Sequence, residues 1–227
     1  MESAVRRLRD RLRVTGDRDS GFTLMELIVA MGIFTIFIAL FLAAVVSLAR
    51  GTVKAQLTTE TASGISVVFQ NIDRQVRYAD SINFPGTGPS GAVYIEFRTP
   101  AASTKENITR CTQWRFLVSQ NRLESRQWND VTGAVRPAWQ TKLTNVIAVG
   151  GATYPFEMVP ATLTGTSKQQ LVLTINAGNP NGVDKAGSAV VTRFVARNSS
   201  LKSPSNSDSI TAGASNTPVC IAPGDRP

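Results

Sequence analysis

Histidine is absent from this sequence, and cysteine occurs only twice. Without an imidazole no Ser–His or Cys–His dyad can be assembled, which removes the commonest nucleophilic designs. Two thiolates cannot close a tetrahedral zinc site alone, so no metal and no other cofactor is expected. Acid is scarce as well. From residue 81 onward the carboxylates are Glu96, Glu106, Glu124, Asp130, Glu157, Asp184, Asp208 and Asp225, scattered and without a spaced pair that asks for an acid/base role. These absences predict a protein that is not an enzyme.

Charge of either sign is missing from Leu27 to Ala49. A bilayer core about 30 Å thick needs roughly 20 apolar helical residues, so this run is long enough to span once. Ahead of it, residues 1–21 carry six arginines, Arg6, Arg7, Arg9, Arg11, Arg13 and Arg18, against four acids and no sustained apolar face. That excess predicts a basic cytoplasmic leader (1–21), a membrane helix (22–50) and an exported remainder beyond Arg50. Glu26 stands out one turn inside the apolar segment. A charge there costs about 2.5 to 3.5 kcal/mol even on lenient insertion scales, so it asks for a partner. An ordinary secretory signal, with Ser47 and Ala49 as its small residues, has an apolar stretch of only about 7 to 15 residues and gives Glu26 no purpose. A plain signal anchor carrying a surface binding module is the other rival.

Gly21-Phe22-Thr23-Leu24-Met25-Glu26-Leu27, behind a short charged leader and ahead of the apolar run, resembles the N-terminus of type IV prepilins and of the pseudopilins of type II secretion. The resemblance firmly covers residues 16–50. It implies a membrane-embedded prepilin peptidase that cuts between Gly21 and Phe22 and methylates the new amine of Phe22. It also implies that Glu26 meets the α-amine of a neighbouring subunit in the fibre. A carboxylate and an ammonium that must both sit in a dry medium cost less together than apart. The partners implied are the peptidase, the assembly platform with its ATPase, other pilin subunits, and membrane lipid before assembly. The family's abundant subunits usually have Pro near the twenty-second mature residue. Here that position is Ala43, a departure that leans toward a minor pilin or minor pseudopilin.

Past the membrane the helical pattern continues. Thr61, Ile65, Val68, Phe69, Ile72 and Val76 recur at spacings of three and four, which predicts an amphipathic continuation over 51–80. Gly51, Gly64 and the cluster of weak helix formers at 58–61 mark expected bends. From Ile82 the period shortens to two. Half-buried strands are expected at Val93–Arg98 and Thr112–Ser119, then a Gln120-Asn121 turn into a strand over Arg122–Trp128. Further strands are expected at Leu143–Val149, Tyr154–Met158, Gln170–Asn176 and Ala189–Ala196, the last two flanking an Asn179-Pro180-Asn181-Gly182 turn. The fold class is therefore α+β: a long N-terminal helix, half in the membrane and half amphipathic, packed on an antiparallel sheet head over 81–198, as in the pilin head. Gly86 to Gly91 has the composition of a flexible connection and is not a phosphate cradle, since no Lys-Ser or Lys-Thr follows. The Ser-, Asn- and Pro-rich tail, 199–227, should be extended or mobile.

Cys111 opens a predicted strand and Cys220 lies in that tail. In an exported domain they can pair and staple the tail to the sheet, or stay free, or join other chains. The net charge is +8, and residues 81–227 carry 14 basic against 8 acidic side chains. Arg110, Arg115, Arg122, Arg126 and Arg136 interleave with Trp114, Trp128 and Trp139. Such a set can bind single-stranded nucleic acid, as in a DNA-capturing competence pilin, although a solvated sheet face with core tryptophans explains it more simply.

Overall fold

The computed structural model describes residues 22–178, 187–206, 210–211, 214–215, 219–220 and 226. It is one long helix followed by antiparallel strands, an α+β pilin-like arrangement. Helix α1 covers Leu24–Val76, and by compactness the chain divides within it, into residues 1–51 and 52–227.

In the first unit every described residue from Phe22 to Gly51 is exposed, the apolar run included. Among the described residues this is one helix long and apolar enough to cross a membrane. In the second unit the stripe does what its period predicts: Ile65, Val68, Ile72 and Val76 are buried, and Phe69 packs edge-on against Phe194 at 5.9 Å. Each such aliphatic contributes about 1.5 to 3 kcal/mol by leaving water. None of the expected bends interrupts α1. Gly64 has a packing role instead, since a Cβ there would come within 2.9 Å of Leu143 Cδ1. The helix also stops four residues before Asp80, because the Asp80 amide donates to the Arg98 carbonyl and draws the chain into a sheet.

That sheet contains β1 (Ser81–Ile82), β2 (Gly86–Thr87), β3 (Val93–Thr99), β4 (Arg110–Leu117), β5 (Arg122–Asn129) and β6 (Gln140–Leu143). β3, β4, β5 and β6 pair in sequence order, while β1 and β2 both pair with the free side of β3. A second sheet orders β7 (Phe156–Val159), β8 (Gln170–Gly178) and β9 (Gly187–Val195), and a short hairpin joins β10 (Ile210–Thr211) to β11 (Ala214–Ser215). The turn between β4 and β5 falls where expected, with Asn121 in the left-handed region at φ 51. The turn expected at residues 179–182 lies outside the described residues.

Three expectations fail for identifiable reasons. The strand over Leu143–Val149 ends at its first residue. Asn145 has φ 58, and its neighbours divide their hydrogen bonds: the Val146 amide donates to Asn121, the Ile147 amide to Asn176, leaving a single bridge from Val146 to Ala177. The strands β3 to β5 are not half-buried. Ile95, Trp114 and Phe116 face the helix side of the core, yet Tyr94, Glu96, Gln113 and Glu124 on the opposite face are buried too.

The cover on that second face comes from the stretch expected to be loose. The Ser203 hydroxyl donates to the Asp80 carbonyl at 2.6 Å, and Ser205 bonds Ser81 and the Ile82 carbonyl. Asn206 exchanges two hydrogen bonds with the backbone of Ala161, at 2.7 and 3.0 Å, as a strand neighbour would. Cys220 is bonded to Cys111, and Arg226 is buried against Glu96. The Gly86–Gly91 connection is pinned as well: it forms β2, and Gly88 lies so close to Arg226 that a Cβ would fall on its carbonyl.

Candidate functional site

The segment that opens α1 is built as a reciprocal cap. Thr23 takes the N-cap position and Glu26 the third helical position. The Glu26 amide donates to Thr23 Oγ1 at 3.3 Å, while the Glu26 carboxylate accepts from both the amide and the hydroxyl of Thr23 at 3.4 Å. This satisfies two of the amide donors that every helix start leaves over. The signal was present in the sequence as Thr-x-x-Glu, and reading Glu26 only as a partner for a neighbour's amine missed it.

The cap also fixes where charge sits. Phe22, exposed at 86%, immediately precedes the cap, so cutting before it would leave an ammonium beside the Glu26 carboxylate and the positive end of the helix dipole. The ammonium adds positive charge and the carboxylate offsets it. Gly21 and the leader lie outside the described residues.

The second group of candidate residues is distributed differently. Arg115 pairs with Glu124 at 2.8 Å and Arg122 reaches the same carboxyl group at 3.5 Å, while Arg110 pairs with Glu106 at 3.0 Å. The guanidiniums of Arg115 and Arg126 each lie 4.2 Å from the ring centre of Trp139, and those of Arg126 and Arg136 lie 5.6 and 5.7 Å from that of Trp128. Trp114 is fully buried, its Nε1 donating to Gln75 on α1 at 2.9 Å. The structure therefore gathers Arg115, Arg126 and Arg136 around two tryptophans. It also occupies the ring faces that unpaired bases would need.

The pair Cys111 and Cys220 belongs to the same covered face. Their Cα atoms are 6.0 Å apart, and with Trp128 and Val219 they form a small apolar cluster separate from the main core. No group of three or more potential metal ligands occurs among the described residues.

Comparison with known families matches residues 17–42 to the prokaryotic N-terminal methylation motif. Neither the curated proteins nor the solved structures yield a match. The motif implies processing by a prepilin peptidase and assembly with other pilins, and the apolar helix behind it fits a single-pass membrane anchor. The N-terminal segment thus carries a prepilin-type methylation motif, which supports the type IV prepilin and pseudopilin family.

Proposed function

We propose that the chain is a minor structural subunit of a type IV pilus or type II secretion pseudopilus. It is cut after Gly21, methylated at Phe22, and drawn from the membrane into a cell-surface fibre through α1. It performs no catalysis itself. The observation that carries this reading is the wholly exposed apolar half of α1, which begins at a capped carboxylate inside the methylation motif. Such a helix needs lipid before assembly and sister helices afterwards, because none of the described residues of its own unit covers it. The assembly platform and its ATPase would move it between the two.

The minor assignment draws support from Ala43, where the abundant subunits usually have Pro. DNA capture loses support from the engaged arginines and buried tryptophans described above.

Mass spectrometry of the mature N-terminus, with and without the peptidase gene, tests the central claim. A chain beginning with methylated Phe22 that reverts to a full leader without the peptidase is expected. A full leader in both strains points to the signal-anchored surface module instead. Quantitative proteomics of sheared fibres then addresses abundance. A chain present at the level of the main shaft protein is not a minor subunit.

A further inference from the structure

Two clefts of about 340 and 350 Å³ share Gln75 at the end of α1 and Gln127 on β5. Each is at the small end of the range for ligand sites. The first takes Arg74 and Tyr78 from the helix end, Lys105 from the connection between β3 and β4, and Arg110 from the start of β4. The second takes Arg126, Gln140 and Lys142. Among the described residues lining either cleft, Glu106 is the one acid, and Arg110 neutralises it.

The amides between them are oriented from beneath. Trp114 Nε1 can only donate, so the oxygen of Gln75 must face it, at 2.9 Å, and the NH2 is turned away as a donor. Gln127 directs its NH2 to Thr112 Oγ1 at 2.9 Å, which leaves its oxygen as an acceptor. Cationic ends with a neutral donor and acceptor between them suit a chain that carries acid groups at intervals and hydroxyls in the middle. A nucleic acid strand would supply the anions, but Trp114 and Trp128 are buried and Trp139 lies against two guanidiniums, which leaves Tyr78 as the one exposed ring among the described residues lining either cleft.

We propose that the paired clefts around Gln75 and Gln127 bind an acidic oligosaccharide, with a carboxylate or sulfate held in each cleft and sugar hydroxyls on the two amides. This site is independent of fibre assembly and would exist in the unassembled subunit.

Calorimetric titration of the full chain in neutral detergent with trigalacturonate, its methyl ester and an oligothymidylate tests it. Trigalacturonate should bind with an affinity that falls as salt is raised, and removing its charge in the ester should weaken binding about tenfold or more. Lys105→Glu, on an exposed side chain, and Lys142→Glu, on a half-buried one in the other cleft, should each weaken it about tenfold, with unchanged thermal unfolding, while Lys202→Glu should not. The proposal is overturned if the ester binds equally well or if only one of the two cleft lysines matters. It is equally overturned if no heat is seen at millimolar sugar, or if the oligothymidylate binds more tightly and responds to the same substitutions.

Discussion

Glu96 and Arg226 stand 130 positions apart in the sequence, yet Arg226 Nη2 donates to Glu96 Oε2 at 2.7 Å with both side chains almost wholly buried. Asn83 and Gln113 complete the environment by donating to the two carboxylate oxygens at 3.1 and 2.7 Å. Removing one partner of a buried pair leaves an uncompensated charge and typically costs about 3 to 5 kcal/mol. Arg226→Ala should therefore lower the unfolding free energy by about that amount, whereas Glu96→Gln with Arg226→Met should recover most of the loss. Denaturant unfolding of the two variants checks this, and a single variant as stable as the wild type would refute it.

Two glycines should respond very differently to the same methyl group. A Cβ at Gly88 meets the backbone carbonyl of Arg226, which cannot move without breaking the pair with Glu96. A Cβ at Gly64 meets only the end of the Leu143 side chain, and Ala in a helix gains about 1 kcal/mol over Gly. Gly88→Ala should destabilise the head by several kcal/mol, on the order of an overpacked core site or more, while Gly64→Ala stays within about 1 kcal/mol of wild type. Parallel melting curves compare them.

The cap that Glu26 makes and the pairing proposed for it can be separated by the choice of replacement. Glutamine can still close the capping box but carries no charge, while alanine does neither. Glu26→Gln should be cleaved and inserted normally yet enter fibres poorly, because the ammonium of Phe22 loses its counter-charge. Glu26→Ala should in addition fray the first turn, at about 0.5 to 2 kcal/mol, as should Thr23→Ala. Immunoblots of membrane and fibre fractions read the first effect, and amide exchange of the first helical turn reads the second. Normal incorporation of Glu26→Gln would remove the pairing argument.

Covalent closure across 109 positions should matter to the head as well. The chain-entropy estimate for a loop of that size is about 4 to 5 kcal/mol. Cys220→Ser should lower stability by no more than that and abolish the difference between melts with and without reductant.

Burial pushes the Tyr154 phenol above its usual value, and the amide of Asn176, which donates to its oxygen at 3.0 Å, only partly opposes this. The folded state thus holds this proton more tightly than the unfolded chain. Its contribution is complete below about pH 10 and is lost as pH rises further. Tyr154→Phe should flatten the fall in stability across that alkaline window, as seen in unfolding curves taken at stepped pH.

What could be read from the sequence had a period or a motif. The stripe from Ile65 to Val76 and the alternation through Val93, Ile95 and Phe97 announce their faces because apolar side chains have one place to go. Residues 199–206 announce nothing, because a serine or asparagine has the same letter whether it points at water or replaces a strand partner, as Asn206 does for Ala161. The arginines between 110 and 136 mislead for a related reason. Composition counts their charge, but only the fold shows Glu124 opposite Arg115 and two guanidiniums against the ring of Trp139. The cap at Glu26 was legible as Thr-x-x-Glu, and the louder methylation motif around it hid the quieter one.

The distance in sequence between Glu96 and Arg226 has a consequence for biosynthesis. At about 5 to 20 residues per second, roughly 7 to 26 s separate the emergence of the acid from that of its base. During that interval β3 to β5 can pair, but one face of their sheet lies open, with a carboxylate that has no counter-charge and a thiol at Cys111 that has no mate. The apolar half of α1, made earlier still, is already seeking lipid. A nascent subunit therefore presents two different kinds of unfinished surface at once, and whatever escorts it must shield the second without holding back the first.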